Sequence, residues 1–508
     1  MSNTDVQISN EIYVINNDDK ESPVYPDILN PISNREQSFR ALQNKNAPLV
    51  TIYFLARNNL EKYTKPAIEA LLEYTSHIDF EIILVDNAST DDTLEYFKTI
   101  NFRCKKIVRI TKHTGALITA QIIERTVGVS GLGKYWIYFP NDILVTKNWL
   151  DNLLRCMESD ERIGEVVPVS DYTSNQQLVD LHYTDLEDMQ RKAEAFNVSD
   201  PRKWEERIRV MPTVCMVRSH LVNLFPDDSA FTWYFADDDG SFKLRRLGYK
   251  LILCGDTFVH HAGSTMSTEM MNKALAEGRQ IFFRKYLVDA WTDTWNFEFP
   301  MCNLLLSSHL QNPNPEKEHR IFGIDVRCGQ PILTIKNILR RYGVDNVHLS
   351  AYTHDPRYWL DLTTICDGEV VCNQFPENLK NTFTEIILGQ HLNAYPNPLM
   401  FINTILPYLA SNGNFVFKYY NFNTPEYKAI SFKDIKQHVD SKHSYRIMNV
   451  SKNLLDNKEA IEAWRNLKEN ANKGDKNAKK ILKRDFSDCE TFGEYSVGEV
   501  IVVVNRVK

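Results

Sequence analysis

The sequence predicts an α/β protein made of two successive domains, each built on a largely parallel β-sheet. The chain has 508 residues, which exceeds the usual size of one domain. Apolar runs of strand length alternate with segments of helical apolar spacing, and this alternation indicates parallel strands covered by helices. A polar segment rich in Asn-Pro interrupts the alternation once, after which the pattern starts again.

The first domain is expected over residues 48–305, after a polar arm over residues 1–47 that contains three prolines. The prolines break any regular pattern, so the arm is expected to lie on the surface or on a partner subunit. The expected strands of the first domain are Leu49–Leu55, Phe80–Val85, Lys106–Ile110 and Tyr135–Phe139. Its expected helices are Lys65–Tyr74, Ala116–Val127 and Trp149–Ser159.

A linker is expected over residues 306–319, because two Asn-Pro pairs in this stretch disfavour helix and central strand. The second domain follows over residues 320–508. Its expected strands are Arg320–Val326, Val347–Ala351, Glu369–Cys372, Thr384–Leu388, Asn414–Phe417 and Val497–Val504. Its expected helices are Ile332–Tyr342, Pro398–Leu409 and a solvated insertion over about 457–483.

Composition and charge exclude several classes of protein. With 59 basic and 66 acidic residues the net charge is −7, which disfavours a protein that binds nucleic acid mainly through its phosphates. No apolar run approaches the length of a membrane span, so at most peripheral membrane contact is expected. Nine cysteines without a CxxC pair indicate reduced thiols, and the expected location is cytoplasmic.

Acidic residues follow predicted strands at several places, where ligands bind in open α/β sheets. Asp86 ends the strand after Leu84-Val85, and Asp142 follows Tyr138-Phe139-Pro140-Asn141. An acid at the position of Asp86 can hold a ribose or a base, and one at the position of Asp142 can bind Mg²⁺ or Mn²⁺. The structural alternatives are a helix cap at Ser89 or Thr90 and an ordinary Asn-Asp turn at Asp142.

Two further groups carry candidate chemistry. Asp237, Asp238 and Asp239 are adjacent at the start of a predicted helix, where three like charges are costly unless a cation or a proton-accepting role compensates. His260 and His261 end a predicted strand and point to opposite faces, so that one of them can join a metal. The alternative for the histidines is a structural role.

Two other motifs are given a structural interpretation. Gly128–Lys134 has the glycine and lysine spacing of a phosphate-binding loop, but Tyr135 stands where Ser or Thr is required, so a flexible turn is expected. The basic stretch Lys473–Arg484 contains Asp475 and is followed by Asp485, which favours a solvated helical face over a nucleic-acid site.

In combination, these segments resemble the family 2 glycosyltransferases of the GT-A fold. The matching features, in order, are Ala56-Arg57-Asn58, Val85–Asp91, Lys112-His113-Thr114-Gly115, Pro140-Asn141-Asp142, Asp237–Asp239 before Arg245–Lys250, and Val259-His260-His261. The resemblance covers residues 48 to about 283. Two departures stand out: Pro140 replaces the first acid of the metal motif, and Ala236 precedes a run of three acids where a pair is usual.

The resemblance implies an inverting, metal-dependent transferase that uses a UDP- or dTDP-sugar. Asp142 with His260 would hold Mn²⁺ or Mg²⁺, and His261 and Asp239 are further candidates. Asp238 or Asp237 would be the general base that takes the proton of the acceptor hydroxyl. The implied donor-binding residues are Ala56, Arg57, Asn58, Asp86, Asn87, Gly115 and Asn141.

The second domain resembles the class I S-adenosylmethionine methyltransferases over about Arg320–Asn421. The resemblance rests on Arg320–Pro331, Phe383–Leu392 and Ile405–Phe417. Asp325 and Gly329 fit the cofactor loop of that family, whereas Arg327 and Pro331 replace glycines. The ribose-binding acid is missing near Tyr352-Thr353, and Asn373 replaces the adenine-binding Asp. We therefore expect a domain without methyl transfer that serves acceptor binding or dimerisation.

The expected function is thus glycosyl transfer to a hydroxyl of a glycan, a lipid-linked saccharide or a protein, as in polysaccharide biosynthesis. Two alternatives remain. One is a bifunctional enzyme whose second domain methylates the product with S-adenosylmethionine. The other is a non-catalytic carbohydrate-binding or scaffolding protein, for which Pro140 is the sequence indication. A second copy of the chain is an additional expected partner, forming a homodimer.

Overall fold

A computed structural model of the chain describes most of both predicted domains. The chain divides into two compact units, Met1–Thr292 and Asp293–Lys508, which are described separately. The described residues are 11–15 (backbone), 47–102, 104–115, 132–224, 231, 234–263, 268–453, 458–485 and 498–507. The predicted helix Ala116–Val127 lies outside them.

The first unit is built on one mixed β-sheet. Its described strands are β1 (Glu11–Ile15), β2 (Val50–Ala56), β3 (Phe80–Asn87), β4 (Lys105–Ile110), β5 (Tyr135–Pro140), β6 (Ile143–Leu144), β7 (Ile163–Ser170), β8 (Trp204–Arg207), β9 (Cys215–Arg218) and β10 (Lys250–His261). Its described α-helices are α1 (Lys65–Thr75), α2 (Thr93–Thr99), α3 (Trp149–Glu158), α4 (Leu186–Phe196), α5 (Ala236–Arg246) and α6 (Thr268–Tyr286).

The strand order in this sheet is β1-β4-β3-β2-β5-β9-β7-β10-β6, with β8 paired to β10. The first five strands in this order, β1, β4, β3, β2 and β5, run parallel to one another. Strand β9 is antiparallel to both β5 and β7. The carboxyl ends of β3, β2 and β5 therefore lie side by side at one edge of the sheet. The polar arm contributes β1, which pairs in parallel with β4 and extends the sheet.

Alternating apolar side chains on the strands build a core on each face of this sheet. Ile52 and Phe54 of β2 pack on one face, together with Trp149 of α3. Tyr53 and Leu55, the intervening residues of the same strand, pack on the other face. This period of two explains why the apolar run in β2 is continuous, since both faces of a parallel sheet are covered.

The second unit carries a separate sheet of the described strands in the order β13-β12-β11-β14-β15-β17-β16. The first five run parallel, and β17 is antiparallel to both of its neighbours. The strands are β11 (His319–Ile324), β12 (Val347–Thr353), β13 (Val370–Cys372), β14 (Phe383–His391), β15 (Leu409–Tyr420), β16 (Tyr445–Asn453) and β17 (Glu499–Arg506). The described α-helices are α7 (Phe299–Gln311), α8 (Gln330–Arg341), α9 (Trp359–Thr363), α10 (Pro398–Ile405), α11 (Phe432–Asp440), α12 (Lys458–Asn472) and α13 (Lys476–Asp485).

The predicted fold class, two successive α/β units each built on its own sheet, is confirmed. The boundary differs from the expected one, because the chain divides after Thr292 and α7 occupies the first part of the predicted linker. Four side chains of α7, Met301, Cys302, Leu305 and Leu306, are buried, which explains why this segment is a packed helix. The helix ends at Gln311, before Asn312-Pro313, in agreement with the restriction that proline places on the preceding residue.

Two general features of the described residues agree with the composition. None of their helices is both long enough and apolar enough to cross a bilayer. Their eight cysteines are free thiols.

Candidate active site

The carboxyl ends of three adjacent parallel strands bring predicted site residues together in the first unit. Ala56 at the end of β2 pairs with Asp86 on β3, and Leu55 pairs with Pro140 on β5. The backbone N–H of Asn141 donates to Leu55 O at 3.0 Å. Because neighbouring strands lie about 4.8 Å apart, Asp86 and the turn at Asn141 belong to the same edge of the sheet.

Asp86 is fully buried, and neighbouring groups bind both of its carboxylate oxygens. Oδ1 accepts from the backbone N–H of Ser89 at 2.9 Å. Oδ2 forms an ion pair with Arg109, whose Nη2 also donates to Ser89 O at 3.0 Å. The carboxylate therefore shapes the turn after β3, and Asp86 and Arg109 form a pair. The predicted helix cap at Ser89 is wrong, because the N-cap position of α2 is Asp92 and Ser89 Oγ accepts from Asn58 N at 2.9 Å.

Three asparagines that the family resemblance assigns to donor binding connect the loops of this edge. Asn58 Oδ1 accepts from Thr90 N at 2.7 Å, and Asn141 Nδ2 donates to Asn58 O at 3.3 Å. Asn87 pairs with the backbone of Thr114 in both directions, at 2.8 and 3.1 Å. These bonds hold the loops after β2, β3, β4 and β5 in one rim.

The remaining predicted donor-binding residues also belong to this rim. Arg57 is exposed. Burial and the charge of Arg57 lower the pKa of His113, which places Arg57 close to the loop after β4. Ala56 and Gly115 are buried and leave the rim without a bulky side chain at either position.

Asp142 lies beside His261 at the same edge. Strand β6 pairs with the end of β10, and Ala262 N donates to Asp142 O at 3.0 Å. His261 Nε2 stands 3.5 Å from Asp142 Oδ2, and His261 Nδ1 lies 2.7 Å from Tyr172 O. A ring N–H donated to a backbone carbonyl is the arrangement that orients a metal-binding imidazole. Burial lowers the pKa of His261, but Asp142 and Tyr172 O outweigh this effect and raise it.

His260, the histidine predicted as the metal ligand, points away from this pair to a different set of partners. Its Nδ1 lies 2.6 Å from Asp171 Oδ2 and 3.0 Å from Tyr183 OH. Asp171 Oδ1 accepts from His261 N at 2.9 Å. Burial alone would raise the pKa of Asp171, but these hydrogen bonds outweigh burial and lower it. Asp171 is therefore an ionised acceptor that fixes the end of β10. The structure thus brings Asp142 together with His261 and places His260 with Asp171.

The run of three acids begins α5, and each carboxylate has different surroundings. Asp238 Oδ1 accepts from Arg209 Nη1 at 2.6 Å in a buried ion pair. Asp239 is buried and ion-paired with Lys243 at 2.8 Å and Lys285 at 2.6 Å. Although burial opposes ionisation, these lysines lower the pKa of Asp239.

Asp237 has no basic side chain paired with it among the described residues. Burial and the adjacent Asp238 carboxylate raise the pKa of Asp237 to about 7, although Arg209 and nearby backbone N–H groups act in the opposite direction. A carboxylate with a pKa near neutrality is suited to accept a proton at physiological pH. Of the two residues that the sequence left open as the base, Asp237 is therefore the one with free proton-accepting capacity.

A chain of side chains on the central strands connects Asp237 with Asp142. Cys215 on β9 pairs with Tyr138 on β5. Burial raises the pKa of Tyr138, and Asp142 and Cys215 raise it further. Burial raises the pKa of Glu165 on β7 to about 8, and Asp237 contributes to the increase. Asp142 and Asp237 are therefore linked electrostatically through Tyr138, Cys215 and Glu165.

Four residues of this site were not predicted from the sequence: Glu165, Asp171, Tyr183 and Arg209. Asp171 follows Ser170 at a strand end, so the rule that identified Asp86 and Asp142 applies to it as well. Glu165 is a charged residue within an otherwise apolar strand, which is itself a signal, since buried Glu is rare without a partner. We find no local sequence signal for Tyr183 and Arg209.

The phosphate-loop motif at Gly128–Lys134 is described only from Leu132 onwards. In that part Gly133 N donates to Thr51 Oγ1 at 2.8 Å. A Cβ atom at Gly133 would lie 2.7 Å from Pro48 O, so this glycine permits close packing of two backbone segments.

In the second unit, the residues that correspond to a methyltransferase cofactor loop are closely packed. Asp325 Oδ2 accepts from Tyr395 OH at 2.5 Å, and Asp325 Oδ1 accepts from His354 N at 2.9 Å. The ring of Tyr395 stacks on Phe401 with the centroids 3.7 Å apart. Gly329 has φ +101°, and a Cβ atom there would lie 2.3 Å from Ile365 Cδ1.

Comparison with protein families gives a match over the first unit. Residues 51–221 match the model of Glycosyl transferase family 2. The match contains β2 to β5 and the Asp86 and Asp142 turns, and it confirms the resemblance seen in the sequence. It supports a glycosyltransferase as the class of the first unit. A comparison with curated protein sequences returned no match.

Solved structures similar to parts of the chain include two glycosyltransferases and a methyltransferase. GalNAc-T7 with UDP, GalNAc and Mn²⁺ is 16% identical, with a TM-score of 0.35, and the match covers 52% of each chain, so that it spans about half of that enzyme. Mannosyltransferase PcManGT from Pyrobaculum calidifontis, with GDP-Man and Mn²⁺, is 16% identical over 50% of this chain and 71% of that one, with a TM-score of 0.33. The plantazolicin methyltransferase BpumL with SAH is 11% identical over 42% of this chain and 85% of that one, with a TM-score of 0.27.

Proposed function

We propose that the first unit transfers a glycosyl group from a nucleotide-diphosphate sugar to an acceptor hydroxyl with inversion at the anomeric carbon. Asp237 is the general base that takes the proton from the acceptor oxygen as this oxygen attacks. The acceptor is a hydroxyl of a glycan, a lipid-linked saccharide or a protein. One base with no protein nucleophile corresponds to a single displacement, which inverts the configuration.

The observation that carries this proposal is the difference between the three adjacent acids. Arg209 neutralises Asp238, and two lysines neutralise Asp239, whereas Asp237 is left with a pKa of about 7. A purely structural acid run would have all three charges compensated in this way. A general base at this position contributes roughly 10²–10⁴-fold to the rate of transfer.

The donor set at the sheet edge fits a divalent cation. Asp142 supplies a carboxylate oxygen and His261 an imidazole nitrogen, with Nδ1 of His261 held by Tyr172 O. We propose these two residues as the ligands of Mn²⁺ or Mg²⁺, with His260 replaced by His261 in the expected set. A bound cation would stabilise the negative charge of the departing diphosphate. Asp171 positions His261 by accepting its backbone N–H.

We further propose that the second unit does not transfer methyl groups. Asp325 has both oxygens bound by groups of the chain, Tyr395 among them, and Gly329 packs against Ile365. Calorimetric titration of the full chain with S-adenosylmethionine should give no binding at micromolar concentrations. Micromolar binding would instead support the bifunctional alternative.

Mn²⁺-dependent turnover of the donor tests the main proposal. The full chain is screened with UDP-, dTDP- and GDP-sugars, and release of the nucleoside diphosphate is measured with and without Mn²⁺. We expect turnover with at least one donor and its loss in Asp142→Ala, whereas Asp180→Ala, an exposed acid of the same unit, should retain it. Absence of turnover and of donor binding across the panel would favour the non-catalytic carbohydrate-binding alternative.

A further inference from the structure

The second unit contains a cluster of two histidines and a glutamate that the glycosyltransferase site does not use. His309 lies near the end of α7, His319 begins β11, and Glu385 is the third residue of β14. One ligand atom from each residue lies within 4.8 Å of the other two. Since β11 and β14 are parallel neighbours, the cluster lies at their amino ends, opposite the edge that carries Asp325.

The two imidazoles converge on one oxygen atom of a fully buried carboxylate. His319 Nδ1 lies 2.9 Å and His309 Nε2 lies 3.2 Å from the same atom, Glu385 Oε1. The other oxygen, Oε2, accepts from the Thr384 hydroxyl. Glu385 is 0% exposed and His319 2% exposed, so the cluster is closed to bulk water on the side of the sheet.

Hydrogen bonds alone do not explain the position of His309 Nε2 in this cluster. His309 Nε2 is buried and, despite its short distance to Glu385, has no hydrogen bond of acceptable direction to any described residue. A ring nitrogen that lies close to a carboxylate oxygen without pointing at it is expected when both atoms are ligands of the same metal ion. The rings of His309 and His319 meet edge to face at 90°, with their centroids 5.2 Å apart.

We propose that His309, His319 and Glu385 form a Zn²⁺ site that fastens α7 to the sheet of the second unit. Two imidazoles and one carboxylate are ligands that Zn²⁺ accepts, whereas Mn²⁺ and Mg²⁺ prefer oxygen. With metal–ligand bonds of about 2.0–2.2 Å, ligands at tetrahedral corners stand about 3.4 Å apart. The observed separations of 3.2 and 2.9 Å require only a small expansion.

A small cleft of about 30 Å³ borders the cluster and includes His309, His319, Asn314, Lys317, Leu339 and Tyr342 in its wall. It provides an entry path and room for a water molecule as the fourth ligand. Lys317 Nζ donates to His309 Nδ1 at 3.3 Å, which leaves the ring proton of a neutral His309 on Nε2. Zn²⁺ binding therefore requires Lys317 to release Nδ1, so that the proton moves there and Nε2 is free to bind the ion. Because Lys317 is only half-buried, it can turn into solvent when the ion binds.

The proposal is tested by Zn²⁺ titration of the full-length, tag-free protein after treatment with a chelator. The Asp142→Ala background removes the carboxylate of the first unit's candidate metal site. Calorimetry should show one Zn²⁺ per chain, and Co²⁺ should give visible absorption of a tetrahedral complex. At about 100 times the Kd, Zn²⁺ should raise the unfolding midpoint of the second unit by about 5 °C.

Three variants in the same background distinguish the cluster from adventitious binding. His309→Ala should weaken Zn²⁺ binding at least about 100-fold and abolish the Co²⁺ spectrum. His348→Ala, an exposed histidine of the same unit, should change neither. Lys317→Met should tighten binding about three- to tenfold, because it removes a nearby positive charge.

Equal Zn²⁺ binding by His309→Ala and the background protein, or no Zn²⁺ binding at all, would overturn the proposal and leave a hydrogen-bonded cluster. If His309→Ala lost its native circular dichroism, Lys317→Met would decide, since unchanged or weaker Zn²⁺ affinity in that variant contradicts the site. Neither readout depends on glycosyl transfer, so the outcome is independent of the proposed function.

Discussion

Both units present acids at the carboxyl ends of parallel strands, but the partners of those acids differ. In the first unit Asp142 follows β5 and lies 3.5 Å from His261 Nε2, while Asp237, in the first turn of α5, has a raised pKa of about 7. In the second unit the chain's own Tyr395 hydroxyl and His354 bind both oxygens of Asp325. The first edge therefore retains groups that can act on a ligand, whereas the second has used its acid to stabilise its own fold.

This difference shows why a strand-end acid alone does not identify an active site. Asp86, Asp142 and Asp325 occupy equivalent places in their sheets, yet Asp86 and Asp325 are satisfied by Arg109 and Tyr395 respectively. What distinguishes Asp237 is the cost of placing a carboxylate beside Asp238 without an ion-pair partner of its own among the described residues. Such costs concentrate where a protonation state has a task to perform.

The largest expected effect comes from Asp237→Asn, which removes the proposed base and keeps its size. The turnover number should fall by about 10²–10⁴-fold with the donor affinity unchanged, because only the transferred proton loses its acceptor. Steady-state kinetics and donor titration measure the two quantities. Asp151→Asn, a surface acid paired with His77, serves as the control and should retain full turnover. Full activity of Asp237→Asn would remove the contrast between the two edges.

The same assignment fixes the pH dependence. Asp237 accepts a proton only when ionised, and its pKa is raised to about 7. The value of kcat/KM should therefore be constant well above pH 7 and fall tenfold per pH unit below it. A profile that is flat between pH 5 and 8 would exclude Asp237 as the base.

Asp238→Asn should act mainly on stability. Breaking a buried ion pair leaves Arg209 uncompensated, which costs about 3–5 kcal/mol of the free energy of unfolding. It should also shift the midpoint of the pH profile below that of the wild type, since a negative neighbour of Asp237 is lost. Urea unfolding and the pH profile measure these effects. Asp180→Asn, an exposed acid, should cost less than about 1 kcal/mol. An upward shift of the midpoint would contradict the assigned contacts.

Much of this architecture could be predicted from the sequence, because continuous apolar runs and helical spacing determine β2 to β5 and β11 to β15. The linker predicted over residues 306–319 includes the last two turns of α7, because the Asn-Pro pairs show where a helix must stop but not that one precedes them. Proline determines where this helix ends. Whether the helix forms depends on its packing against a sheet, and the local sequence carries no information on that packing.

The candidate site shows the same limit. Sequence spacing found Asp142, Asp237 and both histidines, but it left open which carboxylate and which imidazole are active. That choice depends on Arg209, Asp171 and Tyr172, which lie 29 to 89 positions away from their partners. Partners so distant in the chain leave no periodic signal, and only the fold brings them together.

The adjacent histidines offer a matched pair for testing the metal assignment. His261→Ala should lower Mn²⁺ affinity and turnover at limiting Mn²⁺ by about 100-fold, with partial recovery at high Mn²⁺, because an ion ligand is lost. His260→Ala should change Mn²⁺ affinity much less, since its Nδ1 faces Asp171 and Tyr183. Electron paramagnetic resonance of Mn²⁺ measures the affinity. The reverse order of effects would restore His260 as the ligand.

The smallest expected effect concerns Asp325 of the second unit, whose carboxylate oxygens accept hydrogen bonds from groups of the same unit. Tyr395→Phe removes the hydroxyl that donates to Asp325 Oδ2 but keeps the ring stacked on Phe401. A buried carboxylate oxygen without its donor should cost about 1–3 kcal/mol of the free energy of unfolding. Tyr342→Phe, an exposed tyrosine of the same unit, should change stability by less than about 0.5 kcal/mol. Equal stability of Tyr395→Phe and wild type in urea unfolding would mean that water satisfies Asp325 as well as the tyrosine does, and the second edge would then be as open to ligands as the first.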